Sequence, residues 1–213
     1  MTFITLEGLD NSGKTSALKA IGEEYPNAIT TSEPSNLETG KFIRDRLSDE
    51  ERGEFTDFYL FMADRVNHIE ERIQPFGESD CLVVSDRYAD STRAYQPVQF
   101  VNNGIFDNYQ EAIKFVERVM APWNYEPDLT IYLDISVDTA LERSSCEDKY
   151  EEREFLEGVS NNYEELIRSK EHGYRFIRVD AEQSPEKVTD EVLDIVSAAT
   201  GEFAQEPGTD IAL

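Results

Sequence analysis

Near its start the chain reads Phe3-Ile4-Thr5-Leu6-Glu7-Gly8-Leu9-Asp10-Asn11-Ser12-Gly13-Lys14-Thr15-Ser16. The run from Gly8 to Thr15 fits G-x-x-x-x-G-K-[ST], the pattern of a phosphate-binding P-loop. An apolar strand-like run precedes the loop, and a helical pattern follows it. That order turns a helix N-terminus, with its free N–H groups and positive dipole end, toward a bound anion. The alternative is a chance match in a glycine-rich turn, which the flanking patterns disfavour.

The loop predicts a binding site for ATP with Mg²⁺. Gly8 and Gly13 let the backbone approach phosphate closely. Lys14 supplies a mobile charge for the β- and γ-phosphates, and the Thr15 hydroxyl is a ligand for Mg²⁺. The predicted ATP-binding residues of the loop are Gly8, Asn11, Ser12, Gly13, Lys14, Thr15 and Ser16.

Length and composition indicate one domain. The chain has 213 residues, of which 39% are hydrophobic, so residues 1–200 are expected to form a single P-loop domain. The polar segment 201–213 is expected to be a loosely ordered tail. No run of 18 apolar residues predicts a transmembrane helix, and the early first strand leaves no room for a signal peptide.

The few cysteines and histidines predict neither a disulfide nor a metal site. Cys81 and Cys146 lack C-x-x-C spacing, which favours a reducing cytoplasm. His68 and His172 are far apart in sequence and form no metal-binding pattern, so each is interpreted as a surface or helix-packing residue.

The chain is strongly acidic. Asp and Glu total 45 against 20 Lys and Arg, for a formal net charge of −25. Such a field repels nucleic acids and anionic membranes, so neither is an expected partner. At molar salt the screening length falls to roughly 3 Å, which removes most of the internal repulsion. Because the acidic residues are spread along the chain, we favour a protein adapted to a high-salt cytoplasm over a merely acidic cytosolic protein.

Strand-like and helical patterns alternate along the chain. The predicted strands are Thr2–Glu7, Ala28–Thr31, Cys81–Ser85, Leu129–Asp134 and Arg175–Val179. The predicted helices are Lys14–Glu24, Thr39–Leu47, Phe55–Ile73, Asn108–Met120, Val137–Ser144, Glu154–Lys170 and Pro185–Ala199. This alternation predicts an α/β fold of three layers, a P-loop NTPase fold whose central parallel five-stranded sheet has helices on both faces. The ligand is expected beyond the carboxyl ends of the strands.

Residues 144–154 form a polar segment between two helical patterns. Two interpretations are open: a solvated helix face, or a short mobile lid that closes over bound nucleotide and excludes water. In an α/β protein with a P-loop we favour the lid.

Two further pairs of residues carry chemistry. Asp86 ends a buried apolar strand, as the Walker B aspartate does, and would orient Mg²⁺. Arg87 follows it and is suited to bridge phosphates. Phe61 and Arg65 are four residues apart on one helix face, which suits a stacked planar base. An equally favoured alternative is that Phe61 packs in the core and that Arg65 forms an ion pair on the surface.

These pieces, in this order, resemble the thymidylate kinase family of P-loop nucleoside monophosphate kinases. The resemblance extends to about Ala199. It rests on the segments 6–15, Ser32-Glu33-Pro34, Gly40-Lys41-Phe42-Ile43-Arg44, Phe61-Met62-Ala63-Asp64-Arg65, 86–96, 127–134 and 148–151. The segment that starts Asp86-Arg87-Tyr88 and ends Ala94-Tyr95-Gln96 is the most specific to the family.

The resemblance implies roles at the matching positions. Asp10 would bind the 3′-hydroxyl of dTMP, Arg87 would bridge the two nucleotides' phosphates, and Arg143 would pack on the adenine of ATP. Tyr95 would exclude a 2′-hydroxyl. The implied substrate-binding residues are Asp10, Glu33, Arg44, Phe61, Arg65, Arg87, Thr92, Tyr95 and Tyr150. The implied catalytic residues are Lys14, Asp86, Arg87, Lys149 and Arg153, and the implied metal ligands are Thr15 and Asp86.

The chain departs from the family pattern in its cations. Ser32 stands where many relatives carry Arg, which makes Arg44 the nearest candidate for a second contact to the dTMP phosphate. Asn11 occupies a P-loop position that is Arg in some relatives, so the lid must supply the positive charge. Lys149 matches the lid position, and Arg153 is a second candidate.

The resemblance therefore implies transfer of the γ-phosphoryl group of MgATP to dTMP, by a homodimer. Another P-loop kinase with a different nucleotide or nucleoside acceptor is the alternative. A nucleotide-dependent switch is disfavoured because the chain has no Asn-Lys-x-Asp motif. The apolar faces of Phe55–Ile73 and Asn108–Met120 suit either a dimer interface or the core of a monomer.

Overall fold

The computed structural model describes residues 1–46, 53–123, 125–144 and 149–201, with only the backbone of residues 149–151. Five parallel strands form one sheet in the order β2-β3-β1-β4-β5. The strands are β1 Thr2–Glu7, β2 Ile29–Ser32, β3 Leu82–Asp86, β4 Leu129–Asp134 and β5 Phe176–Asp180. The predicted α/β fold with a parallel five-stranded sheet is confirmed.

Eight α-helices surround this sheet in the described ranges. They are α1 Lys14–Glu24, α2 Glu38–Arg46, α3 Glu54–His68, α4 Ala89–Asn102, α5 Tyr109–Met120, α6 Val137–Arg143, α7 Lys149–Arg168 and α8 Pro185–Thr200. Helix α7 begins at Lys149, so the last part of the predicted lid segment is helical. The predicted helix from Phe55 to Ile73 is α3 followed by one π-helical turn, Ile69–Ile73.

Helix α4 is the one α-helix in the described residues that the sequence pattern missed. It contacts both α5 and α7 and is buried on most of its surface. Its buried residues include the polar side chains Asp90, Arg93 and Gln96, so polarity does not mark a solvent face. It also contains Pro97, which usually signals a break in a helix. Without an amphipathic period, the pattern gave no helix here.

The two faces of the sheet supply two separate hydrophobic cores, as a three-layer fold requires. Along β1, Phe3 packs with α3, α4 and α5 in one core, whereas Ile4 and Leu6 pack with α1, α7 and α8 in the other. On β3, Val83 and Val84 divide in the same way. This alternation follows from the two-residue period of a strand.

The strand order positions the site. Strand β1 lies in the middle of the sheet with β3 on one side and β4 on the other, so the connections leave it in opposite directions. Ligands of such sheets bind in the crevice beyond the carboxyl ends of the strands at this point. Leu6 is paired in register with Asp86, and the backbone N–H of Arg87 donates to the Leu6 carbonyl at 2.9 Å. The P-loop and the segment after β3 therefore emerge side by side.

Several predictions concern residues outside the described ranges. Residues 145–148 of the lid, with Cys146, and residues 202–213 of the tail are among them. None of the helices in the described part of the chain has the length and apolar character that a bilayer crossing requires.

Two helix glycines form a matched pair that tests the packing of α7 on α4. A Cβ atom on Gly22, in α1, would lie 3.4 Å from the Thr30 methyl group, which is an ordinary contact, whereas one on Gly158, in α7, would lie 2.9 Å from a methyl group of Val98. We expect Gly22→Ala to raise stability by about 0.5–1 kcal/mol, because alanine restricts the unfolded chain. Gly158→Ala should lower stability by about 1 kcal/mol or more, since Val98 is fully buried and must shift.

Chemical denaturation of both variants and of the wild type measures the two effects. Equal stabilisation by the two substitutions would show that α7 does not pack this closely on α4.

Candidate active site

The P-loop backbone has the conformation that a phosphate cradle needs. Gly13 precedes α1 with a φ of 99°, in the left-handed region that glycine enters freely. Gly8 has a φ of 145°, and a Cβ atom there would lie 2.5 Å from the Leu133 carbonyl oxygen. Asn11 is the third residue of the loop with a positive φ, and asparagine is a residue type that tolerates this region. No side chain caps the N-terminus of α1, so its first N–H groups face the loop's concave side.

Lys14 is buried and folds back on the loop. Its Nζ atom donates to the carbonyl oxygens of Gly8 at 3.2 Å and Leu9 at 2.7 Å, and to the Ser12 hydroxyl at 3.1 Å. Burial, with the positive charge of Arg87, lowers the pKa of Lys14 to about 7. These three acceptors hold the ammonium group inside the loop.

Thr15 and Asp86 meet at the mouth of the crevice. The Thr15 hydroxyl donates to Oδ2 of Asp86 at 2.8 Å, although the two residues are 71 positions apart. The strand register produces this contact, because β1 and β3 end together. A hydroxyl and a carboxylate side by side are hard oxygen donors, which suit a divalent cation such as Mg²⁺.

Arg87 is held in a strained conformation above the P-loop. Its φ is 67°, which costs a residue with a Cβ atom about 1–2 kcal/mol. Its guanidinium group donates to Oδ1 of Asp10, to Ser91 Oγ at 2.9 Å and to the Gly8 carbonyl at 3.3 Å. The same group lies 4.9 Å from the centre of the Tyr95 ring. Strain of this kind persists only where the surrounding structure enforces it.

Lys14 and Arg87 line one cavity of about 440 Å³, at the carboxyl ends of β1 and β3. The lining residues are Asp10, Asn11, Gly13, Lys14, Thr15, Asp86 and Arg87. The cavity thus brings together seven of the predicted site residues, and two cations, the buried Lys14 and the partly buried Arg87, face the same space.

A buried carboxyl group, that of Glu7, lies under this cavity. Its Oε1 accepts from the backbone N–H of Tyr88 at 2.8 Å and of Ser91 at 3.2 Å, at the N-terminus of α4. Its Oε2 accepts from the hydroxyls of Ser91 at 2.6 Å and Tyr163 at 2.9 Å. Burial, with the nearby charge of Asp90, raises the pKa of Glu7 to about 7. Glu7 therefore fixes the segment that carries Arg87.

The predicted base-binding residues form a second, buried cluster. Glu33 accepts from Arg65 through Nε at 3.0 Å and also through Nη2, which in addition donates to Thr92 Oγ1 at 2.9 Å. Burial alone would raise the pKa of Glu33, but Arg65 and His68 outweigh it and the pKa lies below its usual value. Phe61 is partly buried, one turn before Arg65 in α3. Arg65 is therefore an ion-pair partner, as one alternative had it, but the expectation that it lies on the surface was wrong.

Three buried polar atoms without a partner among the described residues lie in the same region. They are Nη1 of Arg65, the hydroxyl of Tyr88 and Oε1 of Gln96. The Arg65 guanidinium lies 5.1 Å from the centre of the Tyr88 ring, and Gln96 is one turn after Thr92 in α4. Buried polar groups are normally hydrogen-bonded, so an unmatched set beside a crevice is typical of a place where a ligand supplies the partners.

Arg44 lies at the edge of this region and is exposed. It donates to the Pro34 carbonyl at 2.7 Å. The loop that it contacts is fastened by buried Asp64, which accepts from the backbone N–H and hydroxyl of Ser35 and from the Thr39 hydroxyl, each at 2.6 Å.

The remaining predicted residues lie on the other side of the loop or outside the description. Arg143 donates to the Asn11 carbonyl at 3.1 Å, next to the P-loop. Arg153 is instead paired with Asp138 on α6 and with Glu157, and the structure does not bring it into the cavity. The side chains of Lys149 and Tyr150 lie outside the described residues.

With this geometry in view, comparison with known proteins gives one consistent result. The family model described as thymidylate kinase matches residues 6–192. The chain belongs to the thymidylate kinase family. It is 35% identical over 199 residues to a probable thymidylate kinase of Halorubrum lacusprofundi, covering 93% of this chain and 99% of that protein. It is 36% identical over 186 residues to one of Halobacterium salinarum, covering 87% and 90%.

A solved structure supports the fold of this thymidylate kinase family member. The crystal structure of a thymidylate kinase from Ehrlichia chaffeensis superposes with a TM-score of 0.69 at 23% identity, covering 92% of this chain and 98% of that one. The two relatives above come from halophilic archaea, which fits the acidic composition.

Sequence reasoning overlooked three residues that hold the site in this thymidylate kinase family member. Glu7 and Asp64 stand inside quoted motifs, yet their side chains were given no role. His68 was expected to be a surface or helix-packing residue, and it is a fully buried residue of α3, but its hydrogen bonds to Glu33 and Thr31 were not predicted. The signal that could identify His68 is its helical spacing from Phe58, Met62 and Arg65, which places it on the same buried face of α3.

The raised pKa of Glu7 predicts a pH-dependent contribution to stability. Because the folded-state pKa, about 7, lies above the ordinary value of 4.5, the native state binds this proton more tightly than the unfolded state. The contribution is fully present below pH 4.5 and is lost as the pH rises through 7. Glu7→Gln cannot ionise, so its stability relative to wild type should increase by on the order of 1–3 kcal/mol between pH 4.5 and pH 8.

Urea denaturation of both proteins at the two pH values measures this difference. A stability difference that is the same at pH 4.5 and pH 8 would contradict the assigned environment of Glu7.

Proposed function

We propose that the protein transfers the γ-phosphoryl group of ATP to dTMP, giving dTDP and ADP. The observation that carries the proposal is the single cavity lined by both Lys14 and Arg87, in a chain of the thymidylate kinase family. Two cations facing one space suit the meeting point of a donor and an acceptor phosphate.

In this proposal ATP occupies the P-loop side of the cavity. The loop from Gly8 to Ser16, with Asn11, Ser12 and Gly13, surrounds the β- and γ-phosphates through backbone N–H groups. Lys14 leaves its carbonyl partners and binds phosphate oxygens instead. Arg143, which already contacts the loop at Asn11, packs on the adenine ring.

A divalent cation fits beside the ATP phosphates. Thr15 and Asp86 are joined by a hydrogen bond of 2.8 Å, and we propose that these two oxygen donors hold Mg²⁺ directly or through its waters. When bound, the cation neutralises part of the phosphate charge.

On the other side of the cavity, the proposal assigns the acceptor nucleotide to α3 and α4. Asp10 binds the 3′-hydroxyl of the sugar, and Tyr95, which lies between Asp10 and Arg87, excludes a 2′-hydroxyl. Phe61 stacks on thymine, while Arg65, held by Glu33 and Thr92, donates to a base carbonyl. The remaining proposed contacts to dTMP come from Arg44 and Tyr150.

The chemistry needs positioning and charge more than proton transfer. The acceptor phosphate is already anionic, so no protein nucleophile and no general base is required, and in-line attack passes through a loose transition state. Arg87 touches both phosphates in this arrangement. Lys149 or Arg153, from the proposed lid within residues 144–154, adds a further cation on closure, and Arg153 must then leave Asp138.

The wider setting belongs to the same proposal. We place this thymidylate kinase in a reducing, salt-rich cytoplasm, as a homodimer that binds neither nucleic acid nor membrane. The formal charge of −25 supports the salt-rich setting, because such a charge is best tolerated at high ionic strength. It also supports the absence of nucleic-acid and membrane partners, because it repels polyanions.

A substrate panel tests the acceptor. ADP release is measured with ATP, magnesium and dTMP, dUMP, dCMP, dGMP or the ribonucleotide of thymine, from low to molar KCl. We expect dTMP to be turned over best. The methyl group that dUMP lacks is worth about 0.8 kcal/mol when buried, so dUMP should be several-fold poorer. The ribonucleotide should be poorer still, because Tyr95 opposes its 2′-hydroxyl.

A different best acceptor would favour another nucleotide or nucleoside kinase. ADP release that does not depend on any added acceptor would favour a nucleotide-dependent switch.

Lys14→Met tests the phosphate end. Removing one cation that stabilises transition-state charge should lower kcat by roughly 10²–10³-fold. The fold should persist, because methionine has a similar length and no buried charge. Lys19→Met is the matched control on the same helix, since Lys19 is exposed and, in the described part of the chain, pairs with Glu23 alone. Full activity of Lys14→Met, or equal losses in both variants, would refute the assignment of Lys14.

A further inference from the structure

Arg65 is the last member of a chain of buried hydrogen bonds. The first two members of this chain, Thr31 and His68, have no role in the proposed reaction. The chain of bonds starts at Thr31 on β2, whose hydroxyl lies 2.8 Å from Nε2 of His68 at the end of α3. Nδ1 of His68 lies 3.1 Å from Oε1 of Glu33. Glu33 in turn binds Arg65 through Nε and Nη2. The side chains of His68, Glu33 and Arg65 are 0%, 7% and 6% exposed, so water does not compete for these bonds.

Glu33 determines which edge of the Arg65 guanidinium group remains free. A guanidinium is planar with five N–H groups in fixed directions. Glu33 takes the edge formed by Nε and Nη2, and Thr92 takes a further N–H of Nη2 at 2.9 Å. Nη1 has no partner among the described residues although it is buried. Any rotation of the Glu33 carboxylate would therefore turn this free edge.

His68 holds the Glu33 carboxylate in its orientation. The pKa of Glu33 lies below its usual value, so its carboxylate is ionised and accepts only. The proton of this hydrogen bond therefore belongs to Nδ1 of His68. At the opposite end of the ring, Nε2 shares its hydrogen bond with the Thr31 hydroxyl, which prevents the ring from flipping.

We propose that His68 is a positioning residue for the acceptor base. Acting through Glu33, it keeps the free edge of Arg65 directed at a pyrimidine carbonyl, and so favours a keto pyrimidine over an amino pyrimidine such as cytosine, whose exocyclic group donates rather than accepts. This inference rests on the proposed function, because it assigns the acceptor base to Arg65.

Two substitutions at His68 separate its two hydrogen bonds. In His68→Asn the side-chain amide nitrogen occupies the place of Nδ1 and can still donate to Glu33. In His68→Gln the amide reaches the place of Nε2, which keeps the contact with Thr31 and loses the one with Glu33. His172→Gln is a control for the loss of a mostly buried histidine, since His172 lies beside Glu117 of α5 rather than in this chain of bonds.

The kinetics of the full-length variants with ATP, dTMP and dCMP test the proposal. We expect His68→Gln to raise KM for dTMP about tenfold, the loss of one hydrogen bond to a charged group, with KM for ATP unchanged. Its preference for dTMP over dCMP should fall by a similar factor. His68→Asn should recover most of the loss, and His172→Gln should resemble the wild type. If His68→Gln does not fold, Thr31→Val loosens the same ring from its other end and should raise KM for dTMP about threefold.

The outcomes distinguish the two proposals. A wild type that does not phosphorylate dTMP would refute the proposed function itself. A wild type that does so, with unchanged KM for dTMP and unchanged discrimination against dCMP in the His68 or Thr31 variants, would overturn the role of His68 alone. Lower thermal stability without these kinetic changes would make His68 a structural residue and would overturn it equally.

Discussion

The arrangement of the phosphate end depends on the buried carboxyl group of Glu7. This group ends β1, caps the N-terminus of α4 through two backbone N–H groups, and receives the Tyr163 hydroxyl from α7. Three elements that are distant in sequence are thus fixed around one point. Between the end of β3 and α4 stands Arg87, whose left-handed backbone is unfavourable by itself. Tyr88 and Ser91, which follow Arg87, are hydrogen-bonded to Glu7, and these bonds keep the Arg87 backbone in its left-handed conformation. The fold thereby holds the Arg87 guanidinium group over the P-loop.

The two ends of the crevice are prepared in different ways. At the base end, Arg65 is already oriented by Glu33 and Thr92, and Asp64 fastens the neighbouring loop. Under the proposed function, the base would meet side chains that are already fixed, which would limit the entropy lost on binding. At the phosphate end, Lys14 binds loop carbonyls and Arg87 binds Asp10. Under the proposed function, substrate phosphates would replace these internal contacts, so the phosphate end would rearrange on binding.

Local sequence patterns predicted most of the fold, because apolar residues recur with a fixed spacing along strands and amphipathic helices. They placed the ends of β1, β4 and α1 correctly, and the P-loop located the crevice. They failed at α4, whose buried Asp90 pairs with Arg93 one turn later and with Arg175 from a distant strand boundary. A sequence pattern cannot reveal that a charge is buried when its partner is 80 or more residues away. His68 packs in a helix, as one alternative had it, but its hydrogen-bond partners were not predicted because they lie on and after β2, 35 or more residues away.

The internal pairing of Lys14 and Arg87 has a consequence for ion competition. Unpaired ammonium and guanidinium groups in a concentrated chloride solution would bind chloride, and nucleotides would have to displace the bound anion. Here each cation already has fixed oxygen partners from the chain itself. A monatomic anion offers one charge at one point and cannot compensate for several lost hydrogen bonds at once. A polyphosphate presents many oxygens together and can do so, so under the proposed function this internal pairing would favour nucleotides over chloride.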